Sequence, residues 1–213
     1  MTNEIAFAGA VIVSVFAIVD PLGTLPFYVA LTEGFSDADR RMVRNRSVVV
    51  LGSILLLFAV AGRFLFAAFG FTLQAFEIAG GILLFLVGYS MLQGEIAKTK
   101  LTDRDESEAL ARREEISVVP LGIPLLAGPG AISTVMIYEG TAGADPIELF
   151  ATFIAIAITT VATWVTFRYG ERILRYLGRV GIMALSRVLG LLLAAVGVQF
   201  VINGATALLP HLP

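Results

Sequence analysis

Six stretches constrain this chain more than anything else: about 5–32, 47–68, 75–93, 117–138, 147–167 and 184–208, each long, apolar and poor in charge. A helix of roughly 20 apolar residues matches the hydrocarbon thickness of a bilayer. Six of them in 213 residues leave little chain for anything else. Composition agrees, with 57% hydrophobic and 15% charged residues, where a soluble domain has about 25% charged. Mean hydropathy is +0.87. The expected fold class is an all-α membrane protein with six transmembrane helices. The first apolar run lacks a basic flank and a small-residue cleavage site, so it is expected to be a retained span.

The basic residues predict the orientation. Arg40, Arg41, Arg44 and Arg46 fall in the first loop, and Lys98, Lys100, Arg104, Arg112 and Arg113 in the third. Arg168, Arg172, Arg175, Arg179 and Arg187 flank or occupy the fifth; Arg63 alone falls elsewhere. Cytoplasmic loops carry the excess of Lys and Arg. Loops one, three and five are therefore expected inside the cell, with both termini outside.

The chain also resembles itself. "PLGTLP" (21–26) is similar to "PLLAGP" (124–129), and "GILLFLVG" (81–88) to "GLLLAAVG" (190–197). Between them, Glu33-Gly34 matches Glu139-Gly140, and Gly62 and Gly70 match Gly170 and Gly178. The offset rises steadily from 103 to 109, as small insertions would make it. Three spans is an odd number, so a second copy must cross the membrane in the opposite sense. The expected organisation is two inverted three-helix repeats, 1–93 and 117–213, joined by a cytoplasmic polar linker, 94–116. Secondary transporters often have this design.

Helices 1 and 4 are expected to be discontinuous near the midplane. Proline lacks a donor and clashes with the carbonyl four residues back. Pro21 and Pro26 would free the carbonyls of Ala17 and Leu22; Pro124 and Pro129 would free those of Pro120 and Leu125. Gly23, Gly128 and Gly130 add backbone permissiveness. Pro26 and Pro129 would each start a second half-helix, presenting unpaired N–H groups and a partial positive charge. Asp20 is read first as a cap for the turn that follows, with Pro21 at its first position. Thr24, Ser133 and Thr134 bring hydroxyls to the same region, either for a ligand or bonded backward to helix carbonyls. Free N–H groups suit a carboxylate and freed carbonyls suit an ammonium or a cation. The candidate substrate-binding residues are thus Asp20, Pro21, Gly23, Thr24, Gly128, Pro129, Gly130, Ser133 and Thr134. The ligand they suit is small and zwitterionic.

Other chemistries lack their residues. There is no cysteine, and the single histidine, His211, lies outside the six spans. A serine nucleophile would have no imidazole base within them and a metalloprotease no imidazole ligands. No G-x-x-x-x-G-K-[ST] phosphate loop is present, and no ring of like charge suggests a channel filter. A channel or a non-transporting scaffold is the alternative to a carrier, with an intramembrane enzyme the weakest reading. No catalytic or metal-binding residue, cofactor or nucleic-acid partner is expected. A coupling proton or sodium ion, and a homo-oligomer, are left open.

"DPLGTLPFYVALTEG" and "PLGIPLLAGPGAISTVMIYEG", each opening one half of a six-span chain, resemble the MarC family of bacterial and archaeal inner-membrane proteins. The resemblance covers essentially the whole chain, and "IPLLAGPGAIST" (123–134) is its most specific part. It implies transport of small neutral amino acids such as glycine and alanine, and a distant likeness to LysE-type exporters. It carries over at the two motifs alone, onto the nine residues named above. The family's first motif often has Asn where this chain has Asp20, which argues against a mechanism that needs a titratable group there.

Overall fold

A chain in hydrocarbon must satisfy its own backbone N–H and C=O groups, and this chain does so with helices. A computed structural model describes residues 2–93, 106–142, 146–174 and 178–208, with no strand among them. The stretch 94–105 of the expected linker, Arg175 and His211 lie outside the described residues. α1 (Thr2–Val19) and α2 (Pro21–Leu31) share one apolar run, Ala6–Leu31. Then come α3 (Asp37–Phe69), α4 (Leu73–Gln93) and α5 (Glu106–Ile116). An irregular segment, Ser117–Leu126, leads into α6 (Pro129–Ala142), followed by α7 (Pro146–Leu174) and α8 (Gly178–Leu208). Among the described residues, five helices are long and apolar enough to cross a membrane, six if the bent pair around residues 127–128 counts as one.

The surface fits lipid. Val60, Phe64 and Phe69 on α3 and Leu191 on α8 are more than half exposed, with many large apolar side chains like them. In water such a surface would aggregate; in a bilayer it is the face the solvent prefers.

Glycine sets the closest helix pair. A Cβ built on Gly81 of α4 would lie 2.5 Å from the Gly197 carbonyl oxygen of α8, and one on Gly88 would lie 2.6 Å from that of Gly190. The two backbones therefore touch, as small residues allow inside membranes. The contacts advance along α4 as they recede along α8, so the pair is antiparallel.

Two more pairs run the same way. Across α3 and α7, a Cβ on Gly52 would lie 3.3 Å from Thr160, and the Trp164 indole N–H donates to Asn45 Oδ1 at 2.9 Å. Arg44, buried near the N-terminal end of α3, lies over the Trp164 ring at 5.2 Å. Across α1 and α6, the hydroxyls of Ser14 and Tyr138 are 2.9 Å apart, while Ile18 lies beside Gly130.

α7 has a different relation to the first span. Tyr28 of α2 stacks on Phe167 at 4.6 Å, and Leu25 packs against Gly170, both near the end of α7. α1 also packs on α7. With only four residues of α7 beyond Gly170, α1 lies along its earlier turns, whereas the local contacts of α2 run in the opposite order, Tyr28 on Phe167 and Leu25 on Gly170. Val11, Val15 and Val19 of α1, Ala131, Ile132 and Val135 of α6, and Ala155 and Ile156 of α7 are all buried in one core. α5 is tied to the base of α3 by ion pairs Arg113–Asp39 (3.2 Å) and Arg46–Glu114 (2.7 Å).

Candidate functional site at the two helix interruptions

The first interruption is one residue wide. Asp20 is left-handed (φ 44°, ψ 67°), a conformation that aspartate and asparagine tolerate better than most residues. Its carboxylate Oδ1 accepts from the Gly23 N–H at 2.9 Å, and Pro21 sits in the first turn, where it has no N–H to leave unpaired. The Asp20 N–H donates to Phe16 O and the Thr24 N–H to Asp20 O, each at 3.0 Å, so the hydrogen-bond ladder resumes at once. Asp20 is therefore a cap, as its spacing from Gly23 allows. Asp20, Leu22 and Gly23 are exposed, whereas Pro21 and Thr24 are buried.

Two expectations about this motif are corrected. The second half-helix starts at Pro21, and Pro26 lies inside α2. The chain departs from helix at Asp20 and not at Gly23, which belongs to α2. Both follow from the capping bond: once Asp20 closes the first turn, the helix nucleates five residues before Pro26.

The second interruption is wider. Val119 (φ −124°, ψ 119°) and Ile123 (φ −138°, ψ 126°) are extended, and each precedes a proline, which disfavours helix in the residue before it. Both of those X–Pro bonds are cis. The Ala127 N–H donates to Gly122 O at 2.9 Å, a reach of five residues. The flanking stretches Arg113–Leu126 and Pro129–Glu139 meet at 57°. α6 starts at Pro129 as the spacing predicts, and the Ile132 N–H donates to Gly128 O at 3.0 Å. Gly128 stands before that first turn without a side chain, so nothing like the Asp20 carboxylate closes it.

Val119 is exposed, but most of this region is covered by neighbours. Pro120, Leu121, Gly122, Pro124 and residues 126–129 are buried. A Cβ on Gly80 of α4 would lie 3.1 Å from Pro129 Cγ, and one on Gly122 would lie 2.5 Å from Val50 Cγ1 of α3. A Cβ on Gly130 would lie 3.3 Å from Ile18 Cγ2. Ile18 is two residues before Asp20 and Gly130 two after Gly128, so the interruptions lie side by side.

The three hydroxyls bond backward. Thr24 Oγ1 donates to Asp20 O at 2.8 Å, Ser133 Oγ to Gly130 O at 2.9 Å and Thr134 Oγ1 to Gly130 O at 2.8 Å. Their oxygens remain acceptors. Reasoning from the sequence missed two residues near this region. Pro120 forms a "VPLGIP" pair with Pro124, two prolines four apart, each after a β-branched residue. Thr159 carried no sequence signal at all.

Apolar helices, a lipid-suited surface and backbones in contact through glycine define an integral multi-pass membrane protein in contact with the bilayer. The chain belongs to the MarC family: residues 5–209 match the MarC family integral membrane proteins. It is similar to a UPF0056 membrane protein of Methanocaldococcus jannaschii, 39% identical over 191 residues, covering 90% of this chain and 92% of the relative. The UPF0056 membrane protein YhcE of Escherichia coli is 35% identical over 200 residues (94% and 92%). YvbG of Bacillus subtilis, also a UPF0056 membrane protein, is 33% identical over 208 residues (97% and 98%). No solved structure matches the chain.

Proposed function

We propose that this protein is a secondary transporter or exporter of small neutral amino acids, glycine- or alanine-like, that binds its substrate at the two interruptions and works by alternating access. The observation that carries this reading is the contact between Ile18 and Gly130, which brings the two motifs together. Their unequal caps supply the chemistry. At α2 a carboxylate from the chain itself, Asp20, accepts from a first-turn N–H. At α6 the equivalent place is open, and a substrate carboxylate would complete it. Carbonyls freed by Pro21 and Pro26 would take the ammonium.

Inverted repeats of three helices, 1–93 and 117–213, are part of the proposal. Exchanging Gly81 for Gly190 and Gly88 for Gly197 turns one α4–α8 contact into the other, which supports the symmetry. All three repeat-related helix pairs are antiparallel, which inversion requires. The protein would sit in the inner membrane with both termini outside, by the distribution of Arg and Lys.

Uptake and counterflow of labelled glycine and alanine in proteoliposomes test this. Saturable flux stimulated by amino acid on the opposite side is expected. No amino-acid-dependent flux above empty liposomes would overturn it, and flux that neither saturates nor exchanges would favour a channel.

A further inference from the structure

The buried serines and threonines of the described residues share a habit. Thr24, Thr32, Ser47, Ser117, Thr152 and Thr163 each donate to the carbonyl four residues back. That bond lets a hydroxyl lie in an apolar helix without help from a neighbour. Thr159 departs from the habit. It is 0% exposed, and its Oγ1 has no hydrogen-bond partner. A buried hydroxyl left unmade costs stability, and folded proteins keep few of them without a reason.

Its place in the fold suggests one. Thr159 lies on the inward stripe of α7 with Ala155, Ile156, Thr163 and Phe167, all buried. Thr160, the next residue, packs on α3 at Gly52, and Val50 of α3 packs on Gly122 of the second interruption. Two residues of α3 span about 3 Å, so Thr159 stands level with that interruption. α1, α6 and α7 all pack on one another, and α6 contributes the uncapped first turn.

We propose that Thr159 contacts the substrate: its hydroxyl hydrogen-bonds the amino acid held at the interruptions. This rests on the transporter reading above. A threonine hydroxyl donates to a carboxylate or accepts from an ammonium, and here no backbone carbonyl competes for its proton. The stability given up by the empty protein is recovered when substrate binds.

Thr159→Val keeps the shape and removes the hydroxyl, and Thr159→Ser keeps the hydroxyl. Both variants are compared with wild type by thermal unfolding with and without glycine or alanine, and by counterflow. Without amino acid, Thr159→Val should unfold at or above the wild-type temperature, because an unmade hydrogen bond has gone. Its KM should rise about tenfold, the worth of one hydrogen bond, and its stabilisation by glycine should shrink. Thr159→Ser should restore both. A Val variant with wild-type KM and wild-type stabilisation overturns the assignment and leaves the transporter standing. A Val variant less stable than wild type without amino acid marks a structural hydroxyl and also overturns it. A wild type with neither flux nor stabilisation removes the transporter reading and this assignment with it.

Discussion

The two interruptions solve one problem in opposite ways. Asp20 faces outward and carries its own remedy, a carboxylate folded back onto the Gly23 N–H. The interruption at 119–128 is exposed at Val119 but buried from Leu126 onward, beside Val50, Gly80 and Ile18, and Gly128 brings no side chain to cap the first turn of α6. A helix start open to lipid has nothing else to bond to and must be closed by the chain. A helix start enclosed by protein can stay open, provided a ligand or a neighbour completes it. In the proposed transporter the enclosed interruption supplies the open N–H groups, and the exposed one closes its own first turn.

The largest contrast should appear when the same methyl group is added on each side. At Gly128 a Cβ would lie 2.5 Å from the Pro124 carbonyl oxygen, which belongs to the backbone and has little room to give. Gly128→Ala should cost about 3 kcal/mol, the upper end for overpacking, and should abolish amino-acid flux. Thermal unfolding in detergent and proteoliposome uptake check both parts. Wild-type stability would mean that the wall around Gly128 is soft.

Next comes the cap itself. Asp20→Ala removes the acceptor for the Gly23 N–H and puts a residue without a stabilising side chain into a left-handed conformation. A lost cap costs about 1 kcal/mol and left-handed strain adds about 1–2 kcal/mol, so about 2–3 kcal/mol is expected in the same unfolding measurement. Asp20→Gly isolates the first part, since glycine carries no left-handed penalty, and should recover about half of the loss.

Gly23→Ala should have a smaller effect than Gly128→Ala. Its Cβ meets only the Asp20 carboxylate, a side chain that can turn aside. The cost of disturbing the cap is offset by the better helix propensity of alanine, and each is about 1 kcal/mol. The net change should stay within about 0.5 kcal/mol. A loss as large as that of Gly128→Ala would show that both interruptions are equally unyielding.

Much of this arrangement was legible in the residues. The apolar runs foretold the membrane-crossing helices because hydrocarbon thickness admits few other solutions. The Asp20-Pro21 pair foretold a cap because both residue types have strong positional preferences at helix starts. Pro26 misled because a membrane helix can hold an internal proline without ending, where its surroundings take up the freed backbone group. The reach of the second interruption back to Val119 was present in "VPLGIP" but weighed too lightly. Thr159 was invisible, because whether a threonine bonds backward depends on the rotamer its neighbours impose.

The finest test of the comparison is Asp20→Asn. Asparagine caps as well as aspartate and tolerates the same left-handed backbone, so stability should change by less than about 0.5 kcal/mol. The charge is what it removes. If the exposed interruption is self-sufficient and serves only to hold α2 in place, flux and its pH profile should match wild type in proteoliposomes. If flux collapses while the fold survives, the carboxylate takes part in the transport cycle. Asp20 would then do more than cap α2, and the contrast between a self-capped start and an open one would fail.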